Sequence, residues 1–141
     1  MTRRRSIELE CPRCSAKQKV SVYDSINVSV DPDLKEKLFK GEINVCQCEK
    51  CDQAIFVPNP LLYHDMEKEL MVQFYPFQAI GDKDFLQQFS KEGGYSNEMV
   101  KRLPKGLRDA MRRIHFVFDM AELIRFVLFR EKLYELWMEA N

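Results

Sequence analysis

The sequence predicts an α+β protein: a zinc-ribbon-like antiparallel sheet carrying an inserted helix, followed by a mostly helical second half. Three observations predict it. Two Cys-x-x-Cys hooks, Cys11-Pro12-Arg13-Cys14 and Cys48-Glu49-Lys50-Cys51, lie in the first half of the chain. The segments around them alternate apolar and polar residues, the period of a half-buried strand. Beyond residue 81 the apolar spacing changes to three and four, the period of a helix.

The elements follow in order. Ile7 and Leu9 alternate with Ser6 and Glu8, a strand running into the first hook. The basic run Arg3-Arg4-Arg5 before it reads as a solvated, frayed terminus. Val20, Val22, Ile26, Val28 and Val30 alternate with polar residues, so 17–30 is one long bent strand or two short ones. Tyr23-Asp24-Ser25 is the bend or bulge between them. Asp31 then reads as an N-cap with Pro32 at the first helical position, where a missing N–H costs nothing. Leu34, Leu38 and Phe39 share one side of that helix, and Gly41 ends it. Ile43 and Val45 enter the second hook, and Gln53–Pro58 leaves it, so each hook sits at a strand end.

Residues 68–77 form a further strand, with Leu70, Val72 and Phe74 on one face and Met71, Gln73 and Tyr75 on the other. Pro76 ends it. A soft boundary at residue 81 divides the chain into a β-rich region, 1–80, and a mainly helical region, 81–141, packed on it. Asp82 caps a short helix over 82–90 that carries Phe85, Leu86 and Phe89. Ser96 to Arg102 forms a turn of helix, Pro104 breaks it, and Leu107 to Arg113 is a basic helix. Ile114, Phe116 and Phe118 read as a short strand. Asp119-x-x-Glu122 starts the last helix, from Met120 to Met138. That helix is apolar on most sides, which predicts burial on most sides. It is either a core helix under the sheet or a contact with a second copy.

The hooks carry the chemistry. A structural zinc site is four-coordinate and favours thiolates, and two knuckles brought together by folding supply four. Cys11, Cys14, Cys48 and Cys51 are therefore the expected ligands of one structural ion, although four thiolates suit iron as well as zinc. The gap of 33 residues between Cys14 and Cys48 is long for a ribbon and requires a strand pair and a helix between the hooks. Two rival readings exist. Disulfides need an oxidising compartment, and the N-terminal residues do not form a signal peptide, which points to the cytoplasm. A thioredoxin-like dithiol needs a helix beginning on Cys-x-x-Cys, whereas strand-like residues follow Cys14. Cys46 would face the same side as Cys48 on extended chain and is an alternative donor or a spare thiol near the site. His64 and His115 are substitute ligands of lower standing.

Composition limits the function. The chain has 141 residues, 45% of them hydrophobic, enough to bury a core as one domain. Lys and Arg number 22, and so do Asp and Glu. A formal charge of zero argues against a dedicated nucleic-acid binder. No apolar run reaches membrane-spanning length.

The motifs taken in order resemble the CpXC family. They are Cys11-Pro12-x-Cys14, Ser25-Ile26-Asn27, Asp31-Pro32-x-Leu34-Lys35-x-Lys37-Leu38, Gly41-Glu42-Ile43-Asn44, Cys48-x-x-Cys51 and Pro60-Leu61-Leu62-Tyr63-His64-Asp65. Phe118-Asp119-x-x-Glu122-Leu123 extends the resemblance into the second half. The family is largely bacterial. The resemblance implies a cytoplasmic protein with a four-cysteine metal site at Cys11, Cys14, Cys48 and Cys51, and it implies no reaction. This chain departs from the pattern at Asp52, where a glycine would ease a left-handed knuckle, and at Cys46.

The leading functional expectation is a non-enzymatic, zinc-stabilised interaction module. Removing the metal should then unfold the first 80 residues. A nucleic-acid-associated ribbon would draw on Arg3-Arg4-Arg5 and the basic residues between Lys101 and Arg113. An enzyme would draw on His64 and Asp65, but neighbours on a strand point to opposite faces.

Overall fold

The structure, a computed structural model, describes residues 2–140. It is a mixed α+β fold built on a five-stranded sheet in the order β1-β2-β5-β6-β7, with a separate two-stranded sheet β3-β4. β1 (Arg3–Glu10) pairs antiparallel with β2 (Lys17–Asn27). β5 (Leu61–Asp65) runs parallel to β2 and antiparallel to β6 (Leu70–Phe74). β7 (His115–Val117) runs parallel to β6. The main sheet is thus mixed, where an antiparallel one was expected. Parallel neighbours require a crossover, and both crossovers are filled. The first holds α1 (Asp33–Phe39), β3 (Val45–Gln47) and β4 (Ala54–Phe56). The second holds a 3-10 turn (Phe77–Gly81), α2 (Lys83–Leu86), α3 (Asn97–Lys101) and α4 (Lys105–Arg112). β2, α1 and β3 occupy the long gap between the hooks.

Several local expectations hold for physical reasons. At the bend in β2, Arg3 pairs with Ser25 and Arg4 with Tyr23, so Asp24 is the extra residue of a bulge. Gly41, at φ +72°, closes α1: its N–H donates to the Leu38 carbonyl and that of Glu42 to Lys37, a Schellman pair. The start of α1 differs from expectation. Pro32 occupies the cap position with helical backbone angles, and no side chain caps the helix. Asp82, Ser96 and Asp119 each accept an N–H at the start of α2, α3 and α5 (Met120–Ala140), respectively.

The run Arg3-Arg4-Arg5 is not frayed. It forms the start of β1, and the Arg5 guanidinium lies 2.9 Å from the Asp24 carboxylate and donates to Asn59. Arg4 lies over the Tyr23 ring and donates to Ser21. A long-range partner strand supplies the order that a terminus lacks alone.

The core lies between the sheet and helices α1 and α5. Ile26, Leu38, Leu61, Tyr63, Leu123 and Val127 are all fully buried in it. β6 is buried at every position. Leu70, Val72 and Phe74 join this core, while Tyr75, just beyond the strand, meets Phe85 and Phe89 edge to face and stacks on Phe116 in an aromatic cluster at the second crossover. The second half of the chain is only partly helical, because that crossover contains short helices and loops and returns as β7 to extend the sheet. α5 also departs from expectation. Only Leu123 and Val127 are buried, and Leu128, Phe129, Leu133, Leu136 and Trp137 remain exposed. Among the described residues, no helix is long and apolar enough to cross a membrane.

Candidate metal centre

Each hook is the tip of a hairpin. Cys11 to Cys14 turn the chain from β1 into β2, and Cys48 to Cys51 turn it from β3 into β4. The two turns repeat one another bond for bond. Cys11 N–H donates to the Ala16 carbonyl at 2.8 Å and Ser15 N–H to the Cys11 carbonyl at 2.9 Å. In the second turn Cys48 N–H donates to Gln53 and Asp52 N–H to Cys48, both at 2.9 Å. Ser15 and Asp52 occupy the same position after the second cysteine, each at φ +63°. Asp52 therefore takes the left-handed conformation without a glycine, as Asp and Asn do more readily than other residues.

The tips meet. Cys11 Sγ lies 3.6 Å from Cys51 Sγ, and Cys14 Sγ lies 3.5 Å from Cys48 Sγ. All four sulfurs lie within 4.8 Å of one another. A disulfide needs about 2.05 Å, so these are four free thiols. A tetrahedral zinc with bonds of about 2.3 Å would set its sulfurs about 3.8 Å apart, close to the spacing found. The donor set and its size therefore fit a single tetrahedral ion.

The surrounding electrostatics favour thiolate. The N–H groups of Cys51 and Lys50 point at the Cys48 sulfur and, against its burial, hold its pKa down to about 6. The N–H groups of Cys14 and Arg13 lower Cys11 in the same way. At Cys51 the Gln53 N–H acts downward, but burial and the neighbouring sulfurs of Cys11, Cys14 and Cys48 push the thiol up to about 12. The half-buried cluster thus favours ionisation at Cys48 and Cys11 and resists it at Cys51. Four thiolates at this spacing repel one another, and a bound dication is what allows all of them to deprotonate.

The hairpins are held together by residues that the sequence reading passed over. Gln18 on β2 spans the tips: its Nε2 donates to the Gln47 carbonyl at 3.2 Å and its Oε1 accepts Glu49 N–H at 3.0 Å. At the base, Asn59 donates to the Tyr23 carbonyl and to Asp24, both at 2.9 Å. Asn44, 7% exposed, reaches the same Tyr23 backbone. Asn44 falls within the Gly41-Glu42-Ile43-Asn44 motif, the one signal that pointed toward it. Gln18 carried none.

The other candidates lie elsewhere. Cys46 sits on β3 opposite Ile55 and packs against the cysteine cluster, but its sulfur is outside the four-sulfur group. Burial, then the charges of Cys48 and Cys11, raise its pKa. His64 is half-buried on β5, beside Met71, Leu107 and Arg113, and burial lowers its pKa. Asp65 faces away from it, 3.4 Å from Lys68 and 3.6 Å from Lys35. His115 stacks on Phe126 at 3.9 Å. Neither histidine joins the cysteines.

A family model described as CpXC protein matches residues 9–140, a span that includes both hooks and the whole of α5. No curated protein and no solved structure matches the chain.

Proposed function

This chain belongs to the CpXC protein family, and on that premise we propose that Cys11, Cys14, Cys48 and Cys51 hold one structural zinc ion in a non-enzymatic interaction module. The observation that carries the reading is the meeting of four sulfurs from two hairpin tips that repeat the same hydrogen bonds. Four protein thiolates fill a tetrahedral shell and leave no position for substrate or water, so the ion's part is to clamp. The clamp joins β1-β2 of the main sheet to β3-β4, which makes residues 1–80 a ribbon-like region on which residues 81–141 pack. Four free thiols suit a reducing compartment, the cytoplasm.

The competing readings have less support. A free basic arm is what a nucleic-acid reading would need, yet Arg4 and Arg5 are tied to Ser21, Asp24 and Asn59. On α4, Arg108 donates to the carbonyls of Leu103 and Lys101, and Arg112 pairs with Asp109. A His64–Asp65 acid–base pair would need both side chains on one side of the sheet, and Asp65 is committed to two lysines.

Elemental analysis of purified protein tests the proposal. One zinc per chain is expected, unchanged in Cys46→Ser and lost in Cys48→Ser. Iron in its place would overturn the zinc assignment, and no stoichiometric metal would overturn the site. A ratio that falls in Cys46→Ser would move the ligand set to include that thiol.

A further inference from the structure

Helix α5 has a second apolar stripe that the sheet engages only at its first residue, Phe126, which stacks on His115. Leu123 and Val127 face the core. Rotated away from them, Phe126, Phe129, Leu133, Leu136 and Ala140 recur at spacings of three, four, three and four. That is the alternation of a coiled-coil seam. Phe129 is 57% exposed, Leu133 47% and Leu136 64%. The seam thus lies on the outer side of a helix whose inner side is already packed.

We propose that this stripe is the seam of an antiparallel helix pair formed with a second copy of the chain. Charge selects both the occupant and its direction. With Phe126, Leu133 and Ala140 at one core position and Phe129 and Leu136 at the other, the flanks are fixed. One flank carries Arg125, Lys132 and Glu139, and the other carries Arg130 and Trp137. A parallel pair would set Arg125 beside the partner subunit's Arg130, like against like. An antiparallel pair can set Leu133 across from the partner's Leu136 and Phe129 across from the partner's Ala140. The same register brings Lys132 beside the partner's Glu139, and the two-fold axis repeats that contact. It also opposes the largest ring to the smallest side chain. Sliding by one core layer would instead oppose Lys132 to the partner's Lys132 and Arg130 to the partner's Arg130, two repulsions that offset the contact it makes between Arg125 and the partner's Glu139. One register therefore satisfies volume and charge together. Lys132 and Glu139 are both solvent-exposed, and the contact of Lys132 with Glu135, at 3.7 Å, is a surface pair that association can exchange. The proposal does not depend on the metal reading.

Sedimentation equilibrium on the full, metal-loaded chain tests it, with Lys132→Glu, Glu139→Lys, the two combined, and Leu136→Asp. The wild type is expected to dimerise with concentration. Each single reversal should raise the dissociation constant about fivefold or more, since two symmetric pairs turn repulsive. The combined reversal should return it toward the wild-type value. Leu136→Asp should be monomeric with unchanged far-ultraviolet circular dichroism. A wild type that stays monomeric at the highest loading overturns the proposal. So does a double reversal no better than the singles. A monomer that cosediments with phosphatidylcholine–phosphatidylglycerol vesicles also overturns it, by making the stripe a membrane-facing surface.

Discussion

The side chain of Asn44 completes the backbone of Tyr23. Tyr23 N–H donates to Asn44 Oδ1 at 2.8 Å, and Asn44 Nδ2 donates to the Tyr23 carbonyl at 3.1 Å. An amide here stands in for a neighbouring strand, beside the bulge where β2 has an extra residue. The Asn44 carbonyl in turn accepts Val57 N–H at 2.8 Å. One residue thus fastens the base of the β3-β4 hairpin to β2, while the cysteines gather at the tips.

Asn44→Ala should therefore cost about 2–3 kcal/mol, because it strands the half-buried Tyr23 N–H and leaves alanine at φ +56°, while Asn59 still donates to the Tyr23 carbonyl. Asn44→Gly keeps the backbone conformation and loses only the amide, so it should cost less. Urea denaturation separates the two. Metal affinity, read by competition with a chromophoric chelator, should fall in both variants, since the second hairpin is no longer held in place.

Metal removal should act locally. The cysteine cluster has its own small core of Cys11, Cys48 and Ile55, distinct from the main core of Ile26, Leu61, Tyr63, Val72 and Leu123. A chelator should then loosen the two hairpin tips and leave the central strands closed, rather than unfold all of residues 1–80. Hydrogen exchange should show protection lost over 9–20 and 44–57 and kept over 61–74. Loss throughout the chain would mean that the ion holds the whole fold.

Asp24 should make the clamp acid-sensitive. Burial alone would raise its pKa, but the Asn59 amide and the Arg5 guanidinium outweigh burial and hold it below the ordinary 3.8. A carboxyl lowered by folding stabilises the protein above its unfolded pKa, and the contribution disappears as pH falls through the folded value. Asp24→Asn should destabilise by about 1 kcal/mol at neutral pH, with the difference from wild type shrinking below pH 4. Paired melting curves from pH 7 to 3 measure it.

A ring of four charges fixes α5 to the sheet. Glu131 lies 2.6 Å from Lys35 and 3.4 Å from Lys68, and both lysines also face Asp65, which is 2% exposed. Asp65→Asn leaves two largely buried lysines to share one carboxylate. The expected cost is about 3 kcal/mol or more, because an uncompensated buried charge outweighs the lost attraction. Thermal melts of Asp65→Asn and of Asp65→Asn combined with Lys68→Met check this. The second change should recover part of the loss.

The sequence by itself determined that Cys11, Cys14, Cys48 and Cys51 come as two matching hooks, the bend at Tyr23-Asp24-Ser25, the turn at Gly41 and the caps at Asp82 and Asp119. Each depends on residues within a few positions of one another, where periodicity, capping and ligand chemistry act. Only the tertiary structure decided that β5 and β7 join the sheet in parallel and that Arg3-Arg4-Arg5 is strand. It alone joined Lys35, Asp65, Lys68 and Glu131, and it alone placed Gln18, Asn44 and Asn59 across the hairpins. It also left most of α5's apolar surface facing water. A strand's direction, the neutralisation of a buried charge and the covering of a helix face all depend on distant partners. The apolar content of α5 therefore showed that it had something to bury, while the position of the sheet decided which part of it was buried.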